Sequence, residues 1–287
     1  MVTTDKGHGG VRGRPRIDLL EPASWRAVVD RVVNRLIPSR VVLALRELPA
    51  RRMFDDTAKY LEEALQNADA EPLAILLPKL QTEVSRGFST IRAFHACRPA
   101  SLASYYQQGI RPLSRRWLVQ EAFELFEGTI PLAEIEELVA KADLNLRDGL
   151  LWFLTDPDEL VDRSGHYLLY GPESMNCVWE KDQRRFHESQ ERQRKRGIPT
   201  LFECVVPLTH LGHEEQCQLT KTLVTGYFRR RSTIPDPDGD SEDWGFSVRT
   251  AIRPEDIVGH THPAVVSDPL RSYTKYHNPV TRCEWCV

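Results

Sequence analysis

The sequence lacks any apolar run approaching the roughly 20 residues that a membrane-spanning helix needs. It also lacks an excess of charge, since 38 Lys and Arg oppose 41 Asp and Glu for a net charge of −3. A near-neutral total argues against a protein that coats nucleic acid with its whole surface. The N-terminal 16 residues contain no apolar core of the kind that a secretory signal carries. We therefore expect a cytoplasmic protein without a membrane partner.

Several common catalytic motifs are absent as well. The 287 residues contain no Gly-x-Ser-x-Gly elbow and no glycine-rich phosphate loop that ends in Gly-Lys-Ser/Thr. These absences argue against an elbow-type serine hydrolase and a P-loop nucleotidase. The composition, 41% hydrophobic and 28% charged, is typical of a globular protein of one large domain or two small ones.

Cysteine is scarce, and its placement does not form a standard zinc pattern. Without a signal sequence, the six cysteines are expected to be reduced thiols. Cys283 and Cys286 form a C-x-x-C pair, and His260, His262 and His277 could complete four ligands. Their spacing fits no standard zinc site. The sequence therefore assigns no metal, and the alternative is a loose tail with two unpaired thiols.

Hydrophobic periodicity divides the chain into a helical front and a mixed body. Residues 1–20 are rich in Gly and Arg and predict a disordered arm, and 21–87 predict a helical lobe. Residues 88–265 form the mixed body, and 266–287 a C-terminal tail. Because strands and helices follow one another in the body without regular alternation, the predicted fold class is α+β.

The body is predicted element by element. Strands are expected at residues 91–97, 150–154, 165–170, 200–207 and 244–252. Helices are expected at residues 101–108, 114–126, 132–142, 174–196 and 212–231. An acidic loop at residues 234–243 precedes the last strand.

The most informative motif lies at residues 94–111. A strand ends in Phe94-His95-Ala96-Cys97-Arg98, and a short helix then closes on Gly109-Ile110-Arg111. Gly109 stands where a left-handed helix cap favours glycine. This arrangement resembles the first motif of the ADP-ribosyltransferase fold, as in the poly-ADP-ribose polymerases. That family reads His-Gly-Ser-Arg, followed by a short helix that ends in Gln-Gly-Leu-Arg.

Three later elements are similar to that family in their order. Gly165-His166-Tyr167 is followed by Ser174, which opens a helix. The apolar run at 200–208 resembles the next core strand, and Glu242 stands just before a late strand, as the family's catalytic glutamate does.

The resemblance implies an ADP-ribosyltransferase-like domain over residues 88–265, with split mixed and antiparallel sheets, flanking helices and NAD as its substrate. It implies catalytic roles for Glu242, His95 and Tyr167. Glu242 would stabilise positive charge on the ribose, His95 would bond the adenosine-side ribose, and Tyr167 would stack on nicotinamide. The implied NAD contacts are His95, Ala96, Cys97, Arg98, Tyr167, Tyr170 and Ser174.

The sequence departs from the family pattern at two positions. Ala96 replaces a glycine, and its methyl group leaves a ligand less room to approach the backbone. Glu242 and Asp243 compete for the role of the acid. In addition, Tyr167 and Tyr170 would face opposite sides of an alternating strand, and the offset from Gly165 favours Tyr167 as the stacking ring.

Three functions remain open at this point. The first is an NAD-cleaving ADP-ribosyltransferase, or an NAD glycohydrolase, with a macromolecular acceptor. The second is an NAD-dependent RNA 2′-phosphotransferase of the same fold. The third is a catalytically silent interaction or DNA-binding protein, because Arg12, Arg14 and Arg16 lie in a segment that resembles an AT-hook core and predicts a weak DNA contact.

Overall fold

The N-terminal part of the chain is helical, as predicted. The computed structural model describes residues 15–145, 147–234 and 244–286, and the side chains of 50–57 fall outside that description. The front helices are α1 (Arg26–Leu36), α2 (Ser39–Arg46), α3 (Ala50–Asn67) and α4 (Leu73–Gly87).

Prolines separate these helices. Pro38, Pro49 and Pro72 immediately precede α2, α3 and α4. Proline is disfavoured inside a helix but is accepted where a new one begins. The chain therefore turns at each proline, and successive apolar stripes can pack on one another.

A mixed, mainly antiparallel sheet forms the centre of the body. Its strands are β1 (Arg16–Ile17), β2 (Thr90–Cys97), β3 (Leu151–Leu154), β4 (Thr200–Pro207), β5 (Gly245–Val248) and β6 (Ile257–Thr261). Their order is β5-β3-β2-β4-β6, and β1 pairs with β2 in parallel. A separate two-stranded sheet contains β7 (Val265–Asp268) and β8 (Thr274–His277).

Helices surround this sheet. They are α5 (Ala103–Gln108), α6 (Arg115–Leu125), α7 (Leu132–Lys141), α8 (Pro157–Asp162), α9 (His166–Tyr170), α10 (Glu173–Trp179), α11 (Phe186–Lys195) and α12 (His213–Arg229). The predicted α+β class is therefore confirmed. No helix in the described part of the chain is both long and apolar enough to cross a membrane.

The predicted strand at residues 165–170 is wrong, because this segment is helix α9. Leu168, Leu169 and Tyr170 are buried in succession, whereas a half-buried strand would alternate. The amides of Leu168 and Leu169 donate to the Gly165 carbonyl at 3.0 Å. Tyr167 and Tyr170 are three residues apart on a helix, so the prediction that they face opposite sides is also wrong.

The predicted long helix at residues 174–196 is interrupted. Helix α10 ends at Trp179 and α11 begins at Phe186. Between them, the buried Asp182 carboxylate accepts a hydrogen bond from the Arg184 amide at 3.2 Å and pairs with Arg185 at 2.6 Å. An aspartate that bonds the backbone two residues ahead favours a turn over a continuous helix.

Both predicted terminal segments are partly folded. The prediction of a disordered arm is wrong for residues 15–20, because Ile17 in β1 and the nearby Leu19 are fully buried. Of the arginines in the AT-hook-like segment, Arg16 is exposed in β1, and Arg12 and Arg14 lie outside the described residues. At the other end, β7 and β8 occupy the predicted tail, and its boundary falls inside β7.

One hydrophobic cluster joins the front helices to the sheet. It contains Trp25 and Leu45 from the helical front, Phe246 from β5, and Leu223 and Phe228 from α12, each at most 1% exposed. Helix α12 packs against α1, α3 and α4. The hydrophobic cluster therefore includes residues from both sides of the predicted domain boundary between residues 87 and 88.

Candidate functional site

A cavity of about 1010 Å³ opens beside the end of β2. The predicted ligand contacts that line it are His95, Ala96, Cys97, Arg98, Tyr167, Tyr170 and Ser174. The fold thus brings together every predicted NAD contact. Glu242 and Asp243, the candidates for the catalytic acid, lie outside the described residues. The volume is at the upper end of the range for small-molecule sites, about 300–1,000 Å³.

His95 is held in place by the neighbouring strand. Its Nδ1 bonds the Trp152 carbonyl of β3 at 2.9 Å, and its ring lies 5.7 Å from that of Phe153. Burial lowers the pKa of His95, while the hydrogen bond to Trp152 acts in the opposite direction. With Nδ1 occupied, Nε2 is the ring atom left for a ligand.

The end of strand β2 offers a free backbone edge. The strand pairs with β4 from Thr90 to Cys97, but with β3 only at Phe94. Beyond Phe94, the edge on the β3 side has no strand partner among the described residues. Ala96 lies in this stretch and lines the cavity, so its peptide groups are suited to binding an amide.

Cys97 is the neighbouring thiol in the cavity wall. Burial raises its pKa to about 12, and a hydrogen bond with Tyr105 opposes that rise only in part. Because the thiolate is the nucleophilic form, a thiol that stays protonated near neutral pH is a poor nucleophile. Burial therefore favours the protonated thiol at Cys97, which lines the cavity wall.

Arg98 supports the wall of the cavity. Its guanidinium donates to the backbone carbonyls of Arg196 at 3.0 Å, Leu168 at 3.2 Å and Arg194, and to the Tyr276 hydroxyl at 3.4 Å. These bonds use four of the five N–H donors of the side chain. The arginine joins β2 to α9 and α11, and retains little capacity to bind a phosphate.

Tyr167 lies beside an ion pair that the sequence did not predict. Its hydroxyl donates to Glu173 Oε2 at 3.4 Å, and Arg147 contacts Glu173 Oε1 at 2.7 Å. Burial and the nearby Glu173 raise the pKa of Tyr167 to about 12. The ring is partly buried and lines the cavity, which leaves an aromatic surface for a flat ligand.

Tyr170 is committed to a buried network. It is 1% exposed, and its hydroxyl donates to Asp268 Oδ2 at 2.6 Å. Arg194 donates to the same carboxylate oxygen at 2.8 Å and to the Tyr170 hydroxyl at 3.2 Å. The phenol therefore ties α9 to β7, and its contribution to the cavity is mainly one of shape.

Two polar side chains in the cavity wall have no hydrogen-bond partner among the residues that the structure describes. The hydroxyl of Ser174 is buried and unpartnered among the described residues, and so are both polar atoms of the Gln193 side chain. Both residues line the cavity and are at most 6% exposed. These polar atoms are themselves covered by neighbouring protein atoms. Because a buried polar group without a partner is destabilising, a rotation of either side chain toward the cavity would let it gain a hydrogen bond from a polar ligand.

The start of β5 reaches the same cavity. Gly245 lines it and pairs with Leu154 of β3. Trp244 is fixed by Thr155, whose amide and hydroxyl both donate to the Trp244 carbonyl at 3.0 and 3.1 Å. Gly245, three residues after Glu242 in the sequence, therefore lies in the cavity wall.

Several cavity residues escaped sequence reasoning. The main ones are Glu121, Arg147, Glu173, Gln193 and Arg196. Burial raises the pKa of Glu121, against the opposing charge of Arg196. An acid in a first helical turn, such as Glu173, is common for helix stability alone, so its position gave no functional signal.

No protein-family model, curated protein or solved structure matches this chain. The chemical groups of the cavity wall are therefore the evidence for what the site can bind. Its wall combines an aromatic ring, a free backbone edge, a histidine nitrogen and unpartnered hydroxyl and amide groups. Such a wall suits a large polar ligand with a flat ring and several hydroxyl groups.

Proposed function

We propose that the protein cleaves NAD and transfers ADP-ribose to a macromolecule, or to water in a glycohydrolase reaction. One observation carries this proposal: the seven residues expected to contact NAD, drawn from separate parts of the sequence, line a single cavity. The size of the cavity suits a dinucleotide, and its unpartnered Ser174 and Gln193 suit a ligand rich in hydroxyl and amide groups.

The proposed arrangement places nicotinamide against the free edge of β2. There its carboxamide pairs with the peptide groups of Ala96, and its ring stacks on Tyr167. His95 Nε2 bonds a hydroxyl of the adenosine-side ribose. The stacking ring in this assignment is Tyr167, which is partly exposed, whereas Tyr170 is buried and forms part of the cavity wall.

The reaction breaks the bond between ribose C1′ and the nicotinamide nitrogen. The bonding electrons leave with nicotinamide, which becomes neutral, and positive charge develops on the ribose as in glycoside cleavage. Glu242 stabilises this charge. It precedes Gly245 by three residues, a chain length of about 10 Å. The acceptor then forms the new bond to C1′ and loses a proton. Asp243 is the alternative acid.

Nicotinamide release tests the proposal. Purified protein is incubated with NAD, and nicotinamide is measured by liquid chromatography. We expect release by the wild type and a loss of at least about 100-fold in Glu242→Gln and in His95→Ala. The Asp243→Asn variant tests whether Asp243, rather than Glu242, is the catalytic acid. Glu180→Gln, a change at an exposed position, is the matched control and should leave the rate unchanged.

The same assay separates the other functions. Turnover only in the presence of a 2′-phosphorylated RNA would replace the proposal with the phosphotransferase. No release under any condition, together with no shift in melting temperature on adding NAD, would show that the protein is a catalytically silent scaffold.

All six cysteines are free, which agrees with the reducing cytoplasm that we propose as the location of the protein.

A further inference from the structure

The end of the chain brings two cysteines onto a pair of histidines. Strand β6 carries His260, and His262 follows directly after it; Cys283 and Cys286 approach from the C-terminal segment. One donor atom from each of the four residues lies within 4.8 Å of all the others. The cluster does not include His277, the third histidine that the sequence offered.

The three distances among Cys283, Cys286 and His260 match edges of a coordination tetrahedron. The Cys283 and Cys286 sulfurs are 3.7 Å apart, and His260 Nε2 is 3.4 Å from each. Zinc bonds of about 2.3 Å to sulfur and about 2.0–2.1 Å to nitrogen give tetrahedral S–S edges of about 3.8 Å and S–N edges of about 3.5 Å.

The two histidines are oriented by their other ring nitrogens. His262 Nδ1 bonds the Pro199 carbonyl at 2.9 Å, and His260 Nδ1 bonds the Tyr106 hydroxyl at 2.6 Å. A ring nitrogen that donates to a carbonyl leaves the opposite Nε2 with a free electron pair, as in metal-binding histidines. His262 is 5% exposed, and its Nε2 is buried without a hydrogen-bond partner in the described part of the chain.

Two backbone amides of the cysteine turn donate hydrogen bonds to its sulfurs. The Trp285 amide donates to Cys283 Sγ at 3.3 Å, and the Cys283 amide donates to Cys286 Sγ at 3.3 Å. Hydrogen bonds from backbone amides stabilise thiolates, which are the form that binds metal. The Trp285 ring stacks on Tyr106 at 5.7 Å, which fixes the turn against α5.

We propose that His260, His262, Cys283 and Cys286 bind one structural Zn²⁺ ion. Two thiolates and two imidazoles favour zinc over magnesium or calcium, which prefer oxygen ligands. Four protein ligands complete the tetrahedron, so no position is open for catalysis. The ion fastens the C-terminal segment to the edge of the main sheet.

Metal analysis of the full chain, purified without a metal-chelating tag, tests the site. We expect about one zinc per chain in the wild type. The Cys283→Ser/Cys286→Ser double variant and His262→Gln should each retain less than about a tenth of that. Cys217→Ser and His277→Gln, which alter a cysteine and a histidine outside the cluster, are the matched controls and should keep the metal.

A second measurement uses the wild type alone, in case the variants fail to fold. Titrating the thiols with a mercurial reagent should release the zinc as two thiols react, and Co²⁺ in its place should give the visible absorption bands of a tetrahedral thiolate site. A metal-free protein with reduced thiols, a Cys283–Cys286 disulfide in its place, or full retention of zinc by the double variant would overturn the proposal. None of these readouts depends on NAD.

Discussion

At the scale of single residues, the cavity wall separates side chains that already have partners from those that do not. The donors of Arg98 and the hydroxyl of Tyr170 are used within the protein. The side-chain hydroxyl of Ser174 and the side-chain amide of Gln193 have no hydrogen-bond partner within the described residues. This division assigns the first pair to stability and the second pair to ligand binding.

Gln193→Met should therefore separate stability from binding. Removing a buried, unpartnered amide is expected to leave the free energy of unfolding unchanged or to raise it by about 1–3 kcal/mol. NAD binding should weaken. Gln216, whose amide donates to the Leu211 carbonyl at 3.0 Å, provides the control: Gln216→Met should lower the free energy of unfolding by about 1 kcal/mol. Urea unfolding and calorimetric titration measure both quantities. A destabilised Gln193→Met variant that binds NAD normally would contradict the interpretation.

His95 gives a prediction about pH. Burial lowers its pKa below the ordinary value of 6.5. As the pH falls below about 6.5, the unfolded chain gains a proton that the folded protein does not, so the free energy of unfolding decreases. His95→Gln should reduce this slope by at most about 1.4 kcal/mol per pH unit. Urea unfolding between about pH 5 and 7 measures the slopes, and equal slopes would exclude the effect.

At the scale of elements, the cavity depends on close approaches that only glycine allows. Gly109 ends α5 with a φ of 78°, and a Cβ there would lie 1.9 Å from the Ile252 carbonyl oxygen. Gly171 follows α9 with a φ of 70°, but a Cβ there would meet nothing within 4 Å. Both glycines line the cavity, and only Gly109 is also required by packing.

Alanine substitutions should distinguish these two requirements. Gly171→Ala adds only the strain of a backbone conformation (φ 70°, ψ −151°) that is essentially restricted to glycine, and should lower the free energy of unfolding by about 1–3 kcal/mol. Gly109→Ala adds a collision with backbone to a similar strain (φ 78°, ψ −170°) and should lower it by more, about 3–5 kcal/mol. Urea unfolding of the two variants provides the comparison. Equal losses would mean that the Ile252 carbonyl moves aside easily.

Elements set by local sequence were predictable, and those set by tertiary contact were not. The strand, turn, helix and Gly109 at residues 94–111 each follow from local preference. Helix α9 was misread as a strand because its burial comes from α10, β2 and β7. The sequence contains all four residues of the His260, His262, Cys283 and Cys286 cluster but assigns no metal to them, because their spacing fits no standard zinc pattern and only the fold brings them together.

At the scale of the whole molecule, the helical front and the sheet share one interior. Helix α12 lies between them, with Leu223, Tyr227 and Phe228 buried. The Tyr227 hydroxyl also donates to Asp30 of α1 at 2.9 Å. The front helices are therefore expected to unfold together with the body.

Leu45→Ala tests this coupling. Leu45 is fully buried in α2, and the cavity left by alanine should lower the free energy of unfolding by about 2–5 kcal/mol. Leu43, on the same helix, is 58% exposed, so Leu43→Ala should change it by less than about 0.5 kcal/mol. Near- and far-ultraviolet circular dichroism should follow a single urea transition in all three proteins. Two separate transitions would show that the front folds independently.

The position of α12 also determines when the protein can fold during its synthesis. The front helices emerge from the ribosome first, yet the helix that covers them ends at Arg229. Between the end of α4 at Gly87 and the end of α12, synthesis at about 5–20 residues per second leaves their apolar faces uncovered for about 7–28 seconds. The nascent chain would thus expose a helical hydrophobic surface throughout that interval, which makes the four front helices the expected binding site for a chaperone.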